Sequence, residues 1–274
     1  MIHNSSLSTW VDEGIKGLYS IVIPAHNEAE NLPETIENLC HALAPHFDFE
    51  IIIVNDNSQD ETVAVVNQLK QRHPEVRLVH NDPPNGFGLA VRMGLSVFKG
   101  EAVAIVMADG SDAPSDVVAF FKKLQEGYDC VFGSRFIPGG SVIDYPIHKK
   151  WINRLANHFI RILFGLRYND MTNAFKCYRR HVIAGLTPIL AHHFNLTVEL
   201  PLKSIIRGYQ YAVLPNAWYN RKQGVSKLKI REMGSRYLFI VLYCLLERML
   251  ARGDYKKSTT TPMAKRKPAK QESI

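Results

Sequence analysis

The chain has 274 residues, 46% of them apolar and 22% charged, with a formal net charge of +7. Such values describe a globular chain long enough to bury its own core, and they exclude a collagen, a disulfide-stapled miniprotein and a disordered chain. Residues 1–134 carry 8 basic and 19 acidic side chains, residues 135–252 carry 19 and 5, and residues 253–274 carry 6 and 2. Unless it is only solvated surface, this division offers carboxylates for a metal in one half and cations for an anionic partner in the other: phosphate, an acidic membrane or nucleic acid. Cys40, Cys130, Cys177 and Cys244 are far apart and form no CxxC, which fits reduced thiols in a cytoplasmic setting. Residues 1–18 are polar and mixed, so no secretory signal is expected.

Short β-branched runs at 19–24, 50–55, 76–80, 102–107 and 129–133 read as strands buried on both faces. Helical patterns lie between them at 31–44, 59–72, 87–98 and 115–126, with Asn31 and Ser115 as candidate N-caps. Strand–helix–strand repetition predicts a parallel sheet with helices on both sides. In such sheets ligands bind beyond the carboxyl ends of the strands. Polar loops stand at those ends: Pro24-Ala-His-Asn-Glu28, Asn55-Asp-Asn-Ser-Gln-Asp-Glu-Thr62, Ala108-Asp-Gly-Ser-Asp-Ala-Pro114 and Gly133-Ser-Arg-Phe136.

Several chemistries are excluded. Gly86-Phe-Gly-Leu-Ala-Val91 has valine at the third glycine position of a dinucleotide fingerprint and does not follow the first strand. There is no GxxxxGK[ST] loop and no GxSxG elbow. Carboxylates facing a crevice suit Mg²⁺ or Mn²⁺ clamping a diphosphate. No zinc, helix-turn-helix or RNP pattern supports nucleic-acid binding. Residues 148–166 read as a basic amphipathic helix with aromatic anchors. The apolar run 237–246 is too short to span a bilayer core, which needs about 20 residues. It is either an interfacial anchor or a packed core helix. The lysine-rich end lacks apolar residues, is expected to be disordered and could meet anionic headgroups.

Taken with Met107-Ala-Asp109, Asn169-Asp-Met-Thr-Asn-Ala-Phe-Lys-Cys-Tyr178 and Arg221-Lys-Gln-Gly-Val-Ser-Lys227, the four loops resemble a family 2 glycosyltransferase of the GT-A fold, in its dolichol/polyprenyl-phosphate mannosyltransferase branch. The resemblance covers about residues 19–230. It implies an α/β GT-A fold, Rossmann-like, with a mainly parallel sheet flanked by helices and a C-terminal amphipathic extension. It also implies three parts: the GT-A domain over 19–230, an interface or packing helix over 231–252 and a basic tail over 253–274. The implied activity is inverting transfer of a hexose from a GDP- or UDP-sugar to a polyprenyl phosphate, by an enzyme peripheral to the cytoplasmic face of a membrane. The alternatives are a family 2 transferase acting on a glycan hydroxyl and a non-catalytic nucleotide-sugar or lipid-binding relative.

Site residues follow from the same resemblance. Pro24, Ala25, Glu28, Asn55, Asp56 and Asp109 fall on positions that cradle the nucleotide sugar. Turn chemistry is an equal expectation for Asn55. The family's metal motif is Asp-x-Asp, and Met107 replaces its first aspartate. Methionine is too soft for Mg²⁺, so Asp109 is left as the metal ligand, with Mg²⁺ or Mn²⁺ expected. Asp112 matches a further family aspartate and is the candidate base if the acceptor is a hydroxyl. Arg135, Lys176, Arg221, Ser226 and Lys227 fall on positions that hold acceptor phosphate or donor diphosphate, whose mutual repulsion cations must offset. Lys176 stands where relatives often have arginine. Glu199 is expected to orient one of these cations.

Overall fold

A computed structural model describes residues 14–143, 147–219 and 230–257. The elements in chain order are β1 (Ile15–Ala25), α1 (Leu32–Leu43), β2 (Asp48–Asn55), α2 (Thr62–Arg72), β3 (Val76–His80), α3 (Phe87–Val97), β4 (Gly100–Ile105), α4 (Pro114–Gln125) and β5 (Cys130–Ser134). There follow β6 (Ser141–Ile143), α5 (Ile147–Phe164), β7 (Lys176–Arg179), α6 (Arg180–Gly185), α7 (Leu196–Ile206), β8 (Tyr211–Pro215), β9 (Ala217–Tyr219) and α8 (Ile230–Leu250). A seven-stranded sheet runs in the order β3-β2-β1-β4-β7-β5-β8, and β6 pairs with β9 in a small second sheet.

Alternation along the strands divides the core in two. Val22, Ile52, Val54, Val103 and Ile105 face one cluster, shared with α3, α5, α7 and α8. Ile21, Ile23, Ile51, Ile53, Ala102 and Ala104 face the other, shared with α1, α2 and α4. Successive side chains point to opposite faces, so a continuous β-branched run buries both. The five expected strands and four expected helices form, with shifted ends. Two details differ. The sheet is not wholly parallel, because β7 runs antiparallel between β4 and β5. Ser115 does not cap α4: Ala113 occupies that position and Pro114 opens the helix, where its missing N–H costs nothing. Asn31 stands at the N-cap of α1 without a side-chain capping bond; its amide donates instead to Glu28 Oε2 at 2.7 Å.

The C-terminal helix is part of the domain's packing rather than an appendage. Ile240, Val241 and Cys244 of α8 are buried in the same cluster as the sheet. Arg207, at the end of α7, donates from Nε and Nη2 to the two carboxylate oxygens of Glu247 at 2.7 and 2.8 Å. The opposite face of α8 exposes Leu238, Phe239, Leu242, Leu246, Met249 and Leu250. The helix thus has one face packed in the core and an opposite apolar face exposed. The start of the expected disordered tail is ordered: Lys257 Nζ pairs with Asp129 at 2.9 Å. Residues 258–274 lie outside the described residues.

Candidate active site

The carboxyl ends of β1, β2, β4 and β5 lie along one end of the sheet, with β7 between β4 and β5, and backbone bonds lock the first residues after β2 and β4. Asp56 N–H donates to Ala25 O at 2.8 Å, and Val106 N–H to Val22 O at 3.1 Å. The loop after β1 is then stitched to the loop after β2. Asn27 N–H donates to Ser58 Oγ, Glu28 N–H to Thr62 Oγ1, Ala29 N–H to Asp60 Oδ2, and Gln59 N–H to Asn27 Oδ1. Asn27 and Asn57 both take the left-handed conformation, φ 57°, which asparagine tolerates better than other non-glycine residues. The asparagines recur in these loops because the turns need them.

Asp56 is buried and holds the next loop in place. Its Oδ1 accepts from Asn81 Nδ2 at 2.7 Å and its Oδ2 from Gly86 N–H at 2.9 Å. Gly86 and Gly88 then let α3 approach residues 191–193 closely: a Cβ on Gly88 would stand 2.6 Å from Ala191 O. Phe87 and Phe194 stack there at 4.2 Å.

A second group of charges gathers beyond β4 and β5. Asp109 Oδ1 accepts from Ser111 N–H, with Gly110 between them at φ +67°. Asp112 is 4% exposed, and its Oδ2 accepts from Met107 N–H at 3.0 Å. Burial, with the Asp109 charge as a smaller contribution, pushes the Asp112 carboxyl up to about 7. Arg135 reaches this group from the end of β5. It donates from Nε and Nη2 to Oδ2 and Oδ1 of Asp170 at 2.8 and 2.7 Å, and Asp170 is fully buried. Tyr168 Oη donates to Gly133 O, and Asn173 Nδ2 donates to Gly133 O and Asn216 Oδ1. Residues 168–173 are thus fastened onto the end of β5. On the far side, Trp218 forms an antiparallel bridge with Asp112, and Ala217 N–H donates to Asp116 Oδ2 at 3.1 Å.

The family profile "Glycosyl transferase family 2" matches residues 20–186. The chain belongs to glycosyltransferase family 2. The polyprenol monophosphomannose synthase of Mycolicibacterium smegmatis is 30% identical over 214 residues, covering 76% of this chain and 80% of that one. The undecaprenyl-phosphate mannosyltransferase of Micrococcus luteus is 26% identical over 232 residues, covering 83% and 94%. Among solved structures, glucosyl-3-phosphoglycerate synthase from Mycobacterium tuberculosis, in complex with Mn²⁺, UDP and glucosyl-3-phosphoglycerate, superposes with a TM-score of 0.59 at 18% identity, covering 84% and 79% of the two chains. The likeness is one of fold: this glycosyltransferase has the GT-A architecture.

The glycosyltransferase brings most of the expected residues to one end of its sheet. Pro24, Ala25, Asn55 and Asp56 line the ends of β1 and β2, and Glu28 follows in the first loop. Asp109, Asp112, Arg135 and Lys176 lie close enough for their charges to act on one another. Two of the expected roles are corrected. Lys176 is 1% exposed and donates to Met171 O and Asn173 O. Burial, partly opposed by Asp170, pulls its pKa down to about 7. It clamps the 171–175 turn from behind rather than facing a phosphate. Among the described residues, Glu199 orients neither Arg135 nor Lys176. It pairs with Lys203 and accepts from the N–H groups of Leu190 and Ala191 at 2.8 and 2.7 Å, so it shapes the loop behind α3. Asn55 follows the turn expectation: its Oδ1 accepts from Ser58 N–H. Arg221, Ser226 and Lys227 lie outside the described residues.

Asp170 and Ser111 were not singled out from the sequence. Asp170 sits inside the 169–178 motif, but only the fold shows that it grips Arg135, 35 residues away. Ser111 Oγ is buried with no hydrogen-bond partner among the described residues. A buried hydroxyl left unpaired is costly unless a ligand or ion completes it. Two carboxylates with a hydroxyl between them in sequence form a hard oxygen set that fits Mg²⁺ or Mn²⁺. Asp112, bonded to the main chain of Met107, places a carboxylate beside the position where the motif lacks one.

Proposed function

We propose that this family 2 glycosyltransferase moves mannose from a nucleotide-diphosphate sugar, GDP- or UDP-linked, to a polyprenyl phosphate, with inversion, at the cytoplasmic face of a membrane. The observation that carries the lipid acceptor is the position of α5. Its outer face exposes Ile147, Trp151, Ile152, Leu155, Phe159 and Ile162. At about 100° per residue these occupy a single arc, opposite the buried Ile160 and Phe164. The inner side of the same helix braces the site: Asn153 and Asn157 both donate to Thr172 Oγ1, and Arg154 lies over the Phe136 ring at 4.7 Å. A helix with its apolar face in the bilayer interface would bring this end of the sheet to a lipid-borne phosphate. No described helix is long and apolar enough to cross a membrane, and the names of both relatives point to a polyprenyl acceptor.

The chemistry asks for charge management more than for a base. A phosphate acceptor is already anionic and can attack the anomeric carbon without losing a proton. Asp109 and Asp112 would hold the divalent ion, which supplies charge neutralisation for the departing nucleoside diphosphate. Asp56 keeps the 81–86 loop against the nucleotide side. Arg135, fixed by Asp170, places a guanidinium between acceptor and donor phosphates and offsets their repulsion. Arg221 follows Trp218 by three residues in sequence, and Trp218 is bridged to Asp112.

One observation favours a hydroxyl acceptor instead: a carboxyl held near 7, as Asp112 is, suits a general base. Turnover of a panel of GDP- and UDP-sugars, with polyprenyl phosphate, with a free sugar acceptor and with neither, separates the readings. Product formed only with the lipid phosphate supports the proposal, and product formed on a sugar hydroxyl refutes it.

A further inference from the structure

The amino ends of the strands, remote from the site just described, carry a second cluster of ligating atoms. Cys40 Sγ, a ring nitrogen of His73 and a carboxylate oxygen of Glu75 all lie within 4.8 Å of one another. Cys40 projects from the last turns of α1, His73 caps α2, and Glu75 precedes β3. We propose that Cys40, His73 and Glu75 bind a borderline transition-metal ion of the Zn²⁺ class and thereby tie α1 to the α2–β3 junction.

Geometry comes first. His73 Nδ1 and Glu75 Oε1 are 3.5 Å apart. Nitrogen and oxygen ligands at about 2.1 Å from a tetrahedral Zn²⁺ are about 3.4 Å apart. The pair already has the spacing of two tetrahedral ligands, and Cys40 needs only a small side-chain adjustment to complete the third. Backbone bonds fix the carriers. His73 N–H donates to Leu69 O, Val76 N–H closes the turn on His73 O, and Ile51 N–H in the sheet donates to Glu75 O. A site assembled on such fixed backbone loses little freedom on binding.

Ligand chemistry selects the ion. One sulfur, one imidazole and one carboxylate suit Zn²⁺, Co²⁺ or Cu²⁺ and are wrong for Mg²⁺, which takes oxygen ligands. A thiolate and a carboxylate together balance a divalent charge. The neighbouring cation Arg72 is engaged elsewhere, with Glu37 at 3.1 Å. Cys40 is 8% exposed, while the His73 and Glu75 side chains are 21% and 23% exposed. Three protein ligands on a partly open surface leave the fourth position to water. The set differs from the hard oxygen set of Asp109 and Asp112, so the two sites sort ions by softness.

The test is a Co²⁺ titration of the full reduced chain, read by thiolate-to-cobalt charge-transfer absorption in the near ultraviolet and by the visible bands of tetrahedral cobalt. One equivalent is expected to generate both. Zn²⁺ should bleach them, and a large excess of Mg²⁺ should not. Cys40→Ser should abolish the charge-transfer band, and His73→Gln and Glu75→Gln should each weaken binding more than tenfold. Asp109→Asn should leave the band unchanged, which separates this site from the glycosyl site. Zn²⁺ well above its dissociation constant should also raise Tm by on the order of 5 °C in the unmodified chain. No charge-transfer band at saturating Co²⁺, or a band unaffected by both His73→Gln and Glu75→Gln, overturns the proposal. Those two partly exposed positions decide the matter even if Cys40→Ser fails to fold.

Discussion

Asp112 offers a test that reads the site without turnover. Its carboxyl is held at about 7 rather than the ordinary 3.8, first by burial and then by the charge of Asp109. The folded state therefore binds this proton more tightly than the unfolded state does. The group contributes stability that is fully present below pH about 4 and is lost as pH rises through 7. The displacement is worth on the order of 4 kcal/mol above pH 7. Asp112→Asn removes the ionisation. Its amide oxygen can still accept from Met107 N–H, while its buried NH₂ group costs roughly 1–3 kcal/mol if unpaired. In chelator the variant should thus be about 1–3 kcal/mol more stable than the parent at pH 8, which for a chain of this size is on the order of 5 °C in Tm. At pH 5 the gain should vanish or reverse. Lys176, held down to about 7 by burial, titrates in the same window, so the quantity to measure is the difference between variant and parent. Urea unfolding of both proteins at pH 5 and pH 8 provides it. Mg²⁺ with a nucleoside diphosphate should then stabilise the parent far more than the variant. A variant-minus-parent difference that is the same at both pH values would refute the reasoning.

Other outcomes follow from the same contacts. Asp109→Asn should lower kcat at least 100-fold with Tm nearly unchanged if the half-exposed Asp109 has the proposed role of metal ligand; near-normal turnover at saturating Mg²⁺ counts against it. Asp170→Asn should cost about 3–5 kcal/mol in urea unfolding, because it leaves the buried Arg135 guanidinium without its counter-charge. Arg135→Ala should therefore lose both transfer and stability, not transfer alone. Trp151→Ser combined with Leu155→Ser and Phe159→Ser should release the protein from polyprenyl-phosphate vesicles with its circular dichroism intact. Phe239→Ser with Leu242→Ser should do the same, whereas Val241→Ser should unfold the chain, since Val241 is 2% exposed.

The strands and helices were legible because period and composition agree along each of them. Val22 and Ile23 face different clusters, as a doubly buried strand requires. The positions of Asp56, Asp109 and Asp112 at strand ends were legible for the same reason. What could not be read was pairing across sequence distance. Nothing local distinguishes Asp170 from a solvent carboxylate until β5 and the 168–173 segment are side by side. The four residues of β7 were too short to announce a strand and carry a lysine at their start; the buried neighbours β4 and β5 supply its hydrogen bonds. Glu199 was partly readable. Lys203 stands four residues on in the same helix, the spacing at which helical side chains meet, and that local partner outranks a distant cation.

The division of charge also acquires a different meaning, and it bears on the proposed membrane contact. The three acidic side chains described in 135–252 each hold a cation in the interior: Asp170 with Arg135, Glu199 with Lys203, and Glu247 with Arg207. Arg180 is spent on Phe98 O and Gly100 O, and Arg179 on Tyr128 O and Leu124 O. Some of the basic side chains are thus structural rather than offered to lipid. Lys150, Arg154 and Arg161 of α5 remain exposed, and cations near an anionic surface are worth about 1 kcal/mol each, screened within a Debye length. The apolar faces of α5 and α8 expose six large side chains each, and burying one is worth about 1.5–3 kcal/mol in full. Even at half depth the apolar contribution exceeds the electrostatic one. Vesicle binding should therefore survive 1 M NaCl with a loss of only a few kcal/mol, and it should persist on neutral lipid. Replacing Lys150, Arg154 and Arg161 with glutamine should weaken binding mainly at low salt. Full release by salt alone, from vesicles that carry polyprenyl phosphate, would show that charge and not the two apolar faces holds the enzyme there.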